Sequence, residues 1–227
     1  MNFISHFYLD REQEDSYFFI GVSTPDLVSV FDRNIRVKEH RMPPLPGYTP
    51  ESAGFYAGVM RHFQVDKMFH SSPFFTRETG RISAMIQERF RPEELSRVFF
   101  VAHVLLELTL DKILIQRDPK LLPDFYRHLE RASLDNVVSL TEWITHTGMP
   151  GYLPFLNRFV RRKTLYQYTD WQSVVYILRR MMQGVGVAEV EYLHSPRFDQ
   201  LLRSYEAELS AHCFEAFDDF KRTLGPA

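Results

Sequence analysis

Apolar side chains recur along most of this chain every three to four residues, the spacing that places them on one face of an α-helix. No segment shows the alternation of apolar and polar side chains that is typical of a half-buried β-strand. The pattern predicts helices over residues 3–9, 16–22, 51–70, 74–90, 92–117, 121–145, 152–168, 171–183 and 196–224. The fold class that follows is all-α.

Proline and glycine mark most of the predicted helix ends. Pro25 ends the second helix, because the residue before a proline avoids helical backbone angles. The proline-rich segment 41–50 is predicted to be a loop. Pro92 begins the long helix, and the two glutamates that follow it suit the positive end of the helix dipole.

The most apolar stretch, residues 98–115, is long enough to suggest a membrane span. His103, Glu107 and Asp111 near its middle would each be costly in lipid, so we expect a helix buried in the protein core. A chain of 227 residues with 44% hydrophobic content can bury a substantial core. We predict a single-domain helical bundle over residues 1–227, with the functional site mainly in residues 1–115.

Charge and cysteine content narrow the function classes. A net charge of −2, without a tail rich in Lys or Arg, gives little attraction for nucleic acid. The one cysteine, Cys213, excludes an intramolecular disulfide and fits a reducing compartment. The first residues lack the basic and apolar regions of a signal peptide. These features predict a cytoplasmic protein that binds neither nucleic acid nor membrane.

Two stretches carry the strongest chemical signal, because each places three potential metal ligands four residues apart. The first trio is His62, Asp66 and His70, and the second is His103, Glu107 and Asp111. Side chains four residues apart share one helix face, and on both helices that face also carries large apolar residues. These are Phe55, Val59, Phe63 and Phe69 beside the first trio, and Phe99, Phe100, Leu110 and Leu114 beside the second. Both trios are therefore predicted to face inward.

Buried carboxylates and imidazoles destabilise a protein unless they are compensated. A divalent cation shared between the two helices would compensate all six groups, and a metal-free hydrogen-bond network is the alternative. Histidine together with carboxylate suits Zn²⁺, Fe, Mn²⁺ or Ni²⁺. Six candidate ligands leave room for two ions.

Three further features have an ordinary structural explanation beside a functional one. His6 is either a satisfied core histidine or a ligand, and Asp26 is either a helix cap or a ligand. A basic cluster is either a solvated helix face or a docking surface for phosphate or an acidic protein. This cluster consists of Arg158, Arg161, Arg162 and Lys163.

Four short blocks, NFISHFYLD, GVSTPDLVS, HFQVDKMFHSSP and ELTLDKIL, resemble in the same order the motifs of the bacterial acyl carrier protein phosphodiesterase family. The family's blocks read NFxAHxxL, GNxxPDxxxG, HRxIDxFTDxHP and DxxYDHxL. Its members are all-helical, HD-domain-like, metal-dependent phosphohydrolases. The resemblance places at the family's metal site His6, Asp26, His62 and Asp66, with Glu107 and Asp111 at its paired aspartates.

This chain departs from the family's blocks at several of the same positions. His70 stands where the family has aspartate, Ser72 and Lys112 where it has histidine, and Phe63 where it has arginine. His103 has no counterpart in the family's blocks. These departures lie among the candidate ligands and substrate contacts, so they bear on the identity of the metal and of the substrate.

The resemblance implies a metal-dependent phosphohydrolase that acts on a phosphodiester or a phosphomonoester, with acyl carrier protein as a candidate substrate. Asp66 or Asp111 would bind a divalent metal that activates water, and His70 or His103 would act as general acid or base. The basic cluster would dock the acidic surface of acyl carrier protein. One alternative is a carboxylate-bridged metal oxidoreductase, although the Glu-x-x-His spacing of ferritin-like proteins is absent. The other is a non-catalytic metal-binding protein.

Overall fold

The computed structural model describes residues 1–44, 49–91, 97–184 and 191–226. Every regular element within these ranges is helical, which confirms the predicted all-α class. The α-helices are α1 (Phe3–Leu9), α2 (Ser16–Phe31), α3 (Pro50–Ser71), α4 (Pro73–Arg89), α5 (Val98–Arg117), α6 (Leu121–Arg131), α7 (Leu134–Thr145), α8 (Tyr152–Arg162), α9 (Trp171–Gly184), α10 (Pro196–Ser210) and α11 (Cys213–Leu224). Short 3₁₀ turns cover Glu39–Arg41, Thr164–Thr169 and Glu191–His194.

The second helix is longer than predicted, because α2 continues through Pro25 to Phe31. Proline inside a helix costs about 3 kcal/mol or more. The residues around Pro25 are nearly all buried, and packing of that length of helix outweighs the cost. Thr24 also donates its hydroxyl to the carbonyl of Ile20 at 2.7 Å. Asp26 is consequently an interior residue of α2 and not the cap of a new helix.

Three segments predicted as continuous helices are interrupted. The predicted helix 152–168 is α8 followed, after Lys163 at a positive φ of 48°, by the 3₁₀ turn Thr164–Thr169. The predicted helix 121–145 is α6 followed by α7, and the hydroxyl of Ser133 caps α7 by accepting the backbone N–H of Asn136. The predicted helix 196–224 is α10 followed by α11, with a break after Ser210. None of these breaks contains proline or glycine, the residues that mark most of the predicted helix ends. The predicted start at Pro92, with Glu93 and Glu94, and loop residues 45–48 lie outside the described residues.

The described residues form two compact units, each built from separate parts of the chain. Unit 1 contains Met1–Lys67, Pro119–Leu165 and the residues from Leu224 onward, whereas unit 2 contains Met68–Asp118 and Tyr166–Thr223. Unit 1 thus holds α1, α2, most of α3 and α6 to α8. Unit 2 holds the last turn of α3, then α4, α5, α9, α10 and most of α11. The single domain and the likeness to HD domains stay predictions.

Helices α2 and α3 of unit 1 approach each other backbone to backbone at two glycines. A Cβ atom on Gly21 would lie 2.2 Å from the carbonyl oxygen of Phe55, and one on Gly58 would lie 2.0 Å from that of Phe18. Side chains do not fit at such distances, so this packing requires glycine at both positions. The close approach brings His62, one turn after Gly58, beside the backbone of α2.

Helix α5 of unit 2 is buried on nearly every side, as predicted for the apolar stretch 98–115. Asp111 is completely buried, and Lys112 is 3% exposed and pairs with Glu206 at 2.5 Å. Phe99, which was predicted to face inward, is instead 62% exposed. It lies in the first turn, where side chains project back past the helix start. Within the described residues, no helix combines the length and the hydropathy needed to cross a lipid bilayer.

Candidate functional site

Three potential metal ligands from two helices of unit 1 converge on one point, and we call them the His6 cluster: His6, His62 and Asp66. His6 lies on α1, and the other two lie one turn apart on α3. His6 Nε2 is 3.2 Å from Asp66 Oδ1, and His62 Nε2 is 3.5 Å from Asp66 Oδ2. The two imidazole rings stack with centroids 4.3 Å apart. Both histidines are buried, while the Asp66 side chain is 32% exposed.

The backbone of α2 fixes the orientation of the His62 ring. His62 Nδ1 lies 2.9 Å from the carbonyl oxygen of Val22. A carbonyl can only accept a hydrogen bond, so Nδ1 carries a proton. The other ring nitrogen, Nε2, then faces Asp66. Protein histidines that bind metals usually have this arrangement, with a fixed donor on one nitrogen and the ligand atom on the other.

Opposite electrostatic effects act on the two stacked histidines. Burial lowers the pKa of His6 to about 3, and the neighbouring His62 acts in the same direction. Burial also disfavours the charged form of His62, but Asp26 and then Asp66 outweigh it and raise the pKa of His62. Two carboxylates therefore favour positive charge at His62, while His6 stays neutral.

His6 and Asp66 both have features that suit a bound cation. Neither ring nitrogen of His6 makes a hydrogen bond of good geometry within the described residues, although the ring is buried. Asp66 accepts a bond of 2.7 Å from the α-ammonium group of Met1. Burial alone would raise the pKa of Asp66, but the nearby imidazoles of His6 and His62 and the ammonium group of Met1 lower it well below its usual range. A neutral imidazole and an ionised carboxylate are the states in which these groups bind a metal.

A second group of three ligands lies within unit 2, and we call it the His70 cluster: His70, His103 and Glu107. The last turn of α3 supplies His70, and α5 supplies the other two residues. His70 Nε2 lies 3.0 Å from His103 Nε2 and 3.1 Å from Glu107 Oε1. His103 Nε2 lies 3.0 Å from the same carboxylate oxygen. The three atoms thus form a nearly equilateral triangle.

The His70 cluster is more accessible than the His6 cluster. The side chains of His70, His103 and Glu107 are 32%, 30% and 16% exposed. The ring of Phe75 contacts both imidazoles edge-on, with centroids 5.0 Å from each. Burial raises the pKa of Glu107, but hydrogen bonds from His103 and His70 help to lower it below its ordinary value.

The structure divides the predicted metal ligands between these two clusters. Each cluster takes a pair spaced four residues apart from one trio and adds a histidine from another helix. Asp26 lies beside the His6 cluster, because its charge acts on His62. Asp111 is completely buried in α5 and belongs to neither cluster. The metal-binding and catalytic roles of all these residues stay predictions.

Two contacts of the His6 cluster were not predicted from the sequence. They are the Val22 carbonyl that orients His62 and the Met1 ammonium that bonds to Asp66. Both are backbone groups, which every residue or every chain carries, so no pattern of side chains reveals them. The spacing of Gly58 and His62 by one helical turn was the one available signal for the first contact.

The basic cluster lies at the end of α8. All four of its side chains are exposed, and Arg158, Arg161 and Arg162 line one surface depression together with Pro154 and Asn157. Lys163 differs from the arginines, because its ammonium group lies 3.8 Å from Glu130. The arginines therefore form the part of the cluster that best suits an anionic partner.

Comparison of this chain with known proteins gave no match to a family model, to a curated protein or to a solved structure. The site geometry and the order of the four sequence blocks therefore stand without support from relatives.

Proposed function

We propose that this protein is a metal-dependent phosphohydrolase whose metal centre is the His6 cluster. The observation that carries the proposal is the convergence of His6, His62 and Asp66 from two helices, with the His62 ring oriented by the Val22 carbonyl. The sequence blocks that contain these residues are the ones that resemble acyl carrier protein phosphodiesterases. Geometry and resemblance thus share His6, His62 and Asp66, whereas Glu107 and Asp111, which the resemblance also assigns to the metal site, are not among the ligands of this cluster.

The protein's own groups prepare this centre for a cation. His6 is held neutral by burial, so that a ring nitrogen offers a lone pair. The Nδ1–H of His62 is engaged by Val22, which leaves Nε2 on the side of Asp66. Asp26 and Asp66 supply the negative charge that balances a dication. The donor set of imidazoles and carboxylates fits Mn²⁺, Fe²⁺, Zn²⁺ or Ni²⁺.

A divalent cation in such a centre polarises a phosphoryl oxygen and lowers the pKa of a bound water molecule towards neutrality. Asp66 is the most exposed of the three ligands, so substrate would approach from its side. Buried His6 and His62 keep bulk water away from the opposite side. The substrate we propose is a phosphodiester or phosphomonoester.

The arginines at the end of α8 support a protein substrate with an acidic surface, for which acyl carrier protein is our candidate. Exposed charges of this kind mainly accelerate association and set specificity. Replacing Arg161 and Arg162 together by serine should therefore weaken turnover of acyl carrier protein and spare that of a small ester. The double replacement of Arg179 and Arg180 on α9 changes the net charge equally and serves as the control.

The proposal is tested with the full chain, stripped with a chelator and reloaded with each of the four metals. Hydrolysis of bis(p-nitrophenyl) phosphate and of p-nitrophenyl phosphate is measured for the wild type and for Asp66→Asn. Replacing a residue that hydrogen-bonds to a metal ligand typically lowers metal affinity or activity by about 10–100-fold. Loss of the ligand itself should therefore lower kcat/KM by at least about 100-fold.

Asp124→Asn is the matched control, because Asp124 is a carboxylate of unit 1 with a similar exposure of 37%. It should retain the activity of the wild type. Metal-loaded wild type that hydrolyses neither ester nor acyl carrier protein would refute the proposal and leave a non-catalytic metal-binding protein. Equal activity of Asp66→Asn and wild type would also refute it.

A further inference from the structure

We infer that the His70 cluster is a second, independent binding site for a transition metal ion in unit 2. Its ligands are His70 Nε2, His103 Nε2 and Glu107 Oε1. The site shares no ligand with the His6 cluster, and unit 2 alone supplies it.

The protons that the two imidazoles carry cannot satisfy all three contacts among the ligand atoms of the His70 cluster. The three ligand atoms lie 3.0 to 3.1 Å from one another along all three sides of the triangle. Each imidazole carries at most one proton on Nε2, and an ionised carboxylate carries none. If both Nε2 atoms are protonated, two N–H groups face each other. If only one is protonated, at least one side of the triangle brings two lone pairs together.

A cation removes this conflict, because it uses a lone pair from each of the three atoms at once. Hydrogen bonds alone satisfy only two of the three sides. Zinc binds histidine nitrogen and carboxylate oxygen at about 2.0–2.2 Å. A triangle with sides near 3.0 Å has points at about that distance from all three corners, about 1 Å out of its plane, and widening its sides to about 3.4 Å gives tetrahedral angles. The side chains therefore need little movement to accept the ion.

The ligand types select the class of metal. Two imidazoles and one carboxylate form the set that proteins use for zinc sites with an open fourth position. Imidazole also binds Co²⁺ and Ni²⁺ well, whereas Mg²⁺ and Ca²⁺ prefer oxygen. The partial exposure of all three ligands allows water to complete the coordination shell. We therefore expect the site to prefer a cation of intermediate hardness such as Zn²⁺ over a hard cation such as Mg²⁺.

Phe75 adds support from the surroundings. Its ring packs against the edges of both imidazoles and so restricts their rotation. A ligand set held in place before the ion arrives binds more tightly, because less side-chain freedom is lost on binding. The apolar wall also keeps water from competing on that side of the cluster.

The experiment is a titration of full-length protein, stripped of metal with a chelator, with Zn²⁺. Binding is measured by calorimetry and, separately, by competition with a chromogenic chelator. The wild type is expected to bind two ions, one for each cluster. His103→Gln and, separately, Glu107→Gln should each weaken the binding of one of these two ions by at least about 100-fold. Mg²⁺ should not displace Zn²⁺ from the His70 cluster of the wild type.

The matched control is His212→Gln. His212 is a histidine of unit 2 that is also 30% exposed and lies 3.1 Å from a glutamate, Glu78, but among the described residues it belongs to no group of three potential ligands. This variant should bind as many ions as the wild type. Circular dichroism confirms that each variant is folded, and the two separate ligand variants guard against loss of one of them to misfolding.

The titration also separates this inference from the proposed function. Loss of one ion in Asp66→Asn and of another in His103→Gln supports both sites. If the His6 cluster binds nothing, the wild type binds a single ion that His103→Gln removes, and the inference stands alone. The inference is overturned if His103→Gln and Glu107→Gln bind zinc as the wild type does, or if Mg²⁺ displaces the ion.

Discussion

Two stacked imidazoles in unit 1 illustrate how neighbouring groups set the charge of a histidine. His6 and His62 lie 4.3 Å apart and are both buried, yet the pKa of His6 is lowered and that of His62 is raised. Asp66 favours the charged form of both rings, and the difference comes from the additional charge of Asp26, which raises the pKa of His62. One ring thus stays neutral while the other favours a positive charge.

This difference predicts how the stability of metal-free protein depends on pH. Burial lowers the pKa of His6 to about 3 in the folded protein, whereas an unperturbed histidine has a pKa of 6.5, so between these two pH values the unfolded chain binds one more proton than the folded protein. Stability from His6 is complete above pH 6.5 and falls as the pH decreases, by about 1.4 kcal/mol per pH unit for one proton. His62 has the opposite sign: its contribution is complete below pH 6.5 and is lost above that value, as the pH rises through its raised pKa.

Replacement of His6 by asparagine isolates this effect. As the pH is lowered from about 6 to 4.5, the free energy of unfolding, measured by urea titration, should fall less steeply for His6→Asn than for the wild type. The two slopes should differ by about 1.4 kcal/mol per pH unit, the value for one proton. Asp66 does not interfere, because its lowered pKa makes it contribute only near and below the ordinary range for carboxylates. Parallel pH profiles of the two proteins would show that His6 remains protonated in the fold.

The spacing of ligands was informative at the residue scale, but only over a single turn. His103 and Glu107, four residues apart, do lie in one cluster. Asp111 does not, because residues eight apart on a helix are separated by about 12 Å along its axis. The same limit applies to His62 and His70. A trio at this spacing predicts a helix face, and not a single coordination sphere.

At the scale of helices, the packing of α2 against α3 depends on the absence of two side chains. Gly58→Ala would place a Cβ atom 2.0 Å from the carbonyl oxygen of Phe18. The helices would have to separate, which costs about 1–3 kcal/mol or more in a close-packed core. Separation would also lengthen the bond between His62 and Val22. We expect lower stability in urea titrations and weaker metal binding at the His6 cluster.

Gly80→Ala is the control for helix propensity. Gly80 is exposed within α4, and no atom lies within 4 Å of a Cβ built there. Alanine should therefore stabilise the protein by about 0.5–1 kcal/mol. If Gly58→Ala is stabilising to the same degree, the close approach of α2 and α3 is wrong.

The sequence predicted which segments are helical better than where helices end. Helices α1, α4 and α9 have nearly the predicted limits, and Pro73 marks the start of α4 and Gly184 the end of α9. Pro25 misled the prediction, since burial of α2 outweighs its local cost. The break at Ser133 was missed because neither proline nor glycine accompanies it, although the Ser133 hydroxyl caps α7. Tertiary packing decided the case of Pro25.

At the scale of the whole molecule, one buried ion pair connects parts of unit 1 that are far apart in the sequence. Arg61 on α3 donates to both carboxylate oxygens of Asp10, at 2.9 and 2.6 Å. The same guanidinium group also donates to the carbonyl oxygen of Gly225 at 2.8 Å. Both side chains are less than 10% exposed. Assembly of unit 1 from separate chain segments was not predictable from local periodicity, because periodicity reports faces and not partners.

Asp10→Asn would leave the buried guanidinium without its counter-charge. Breaking a buried pair from one side costs about 3–5 kcal/mol, so the midpoint of urea denaturation should fall markedly. Asp219→Asn removes an exposed partner of Arg222 and should cost less than about 1 kcal/mol. A small effect of Asp10→Asn would indicate that water reaches Arg61 in the folded protein.

The paired glycines of α2 and α3 have a consequence for sequence variation. Gly21 and Gly58 have no side chain that could bind a metal, yet the hydrogen bond from His62 to the Val22 carbonyl depends on the close helix packing that they allow. Relatives that retain His6, His62 and Asp66 should retain both glycines as strictly as the ligands. Relatives that have lost the ligands should be free to replace either glycine, and residues 21 and 58 should then change together.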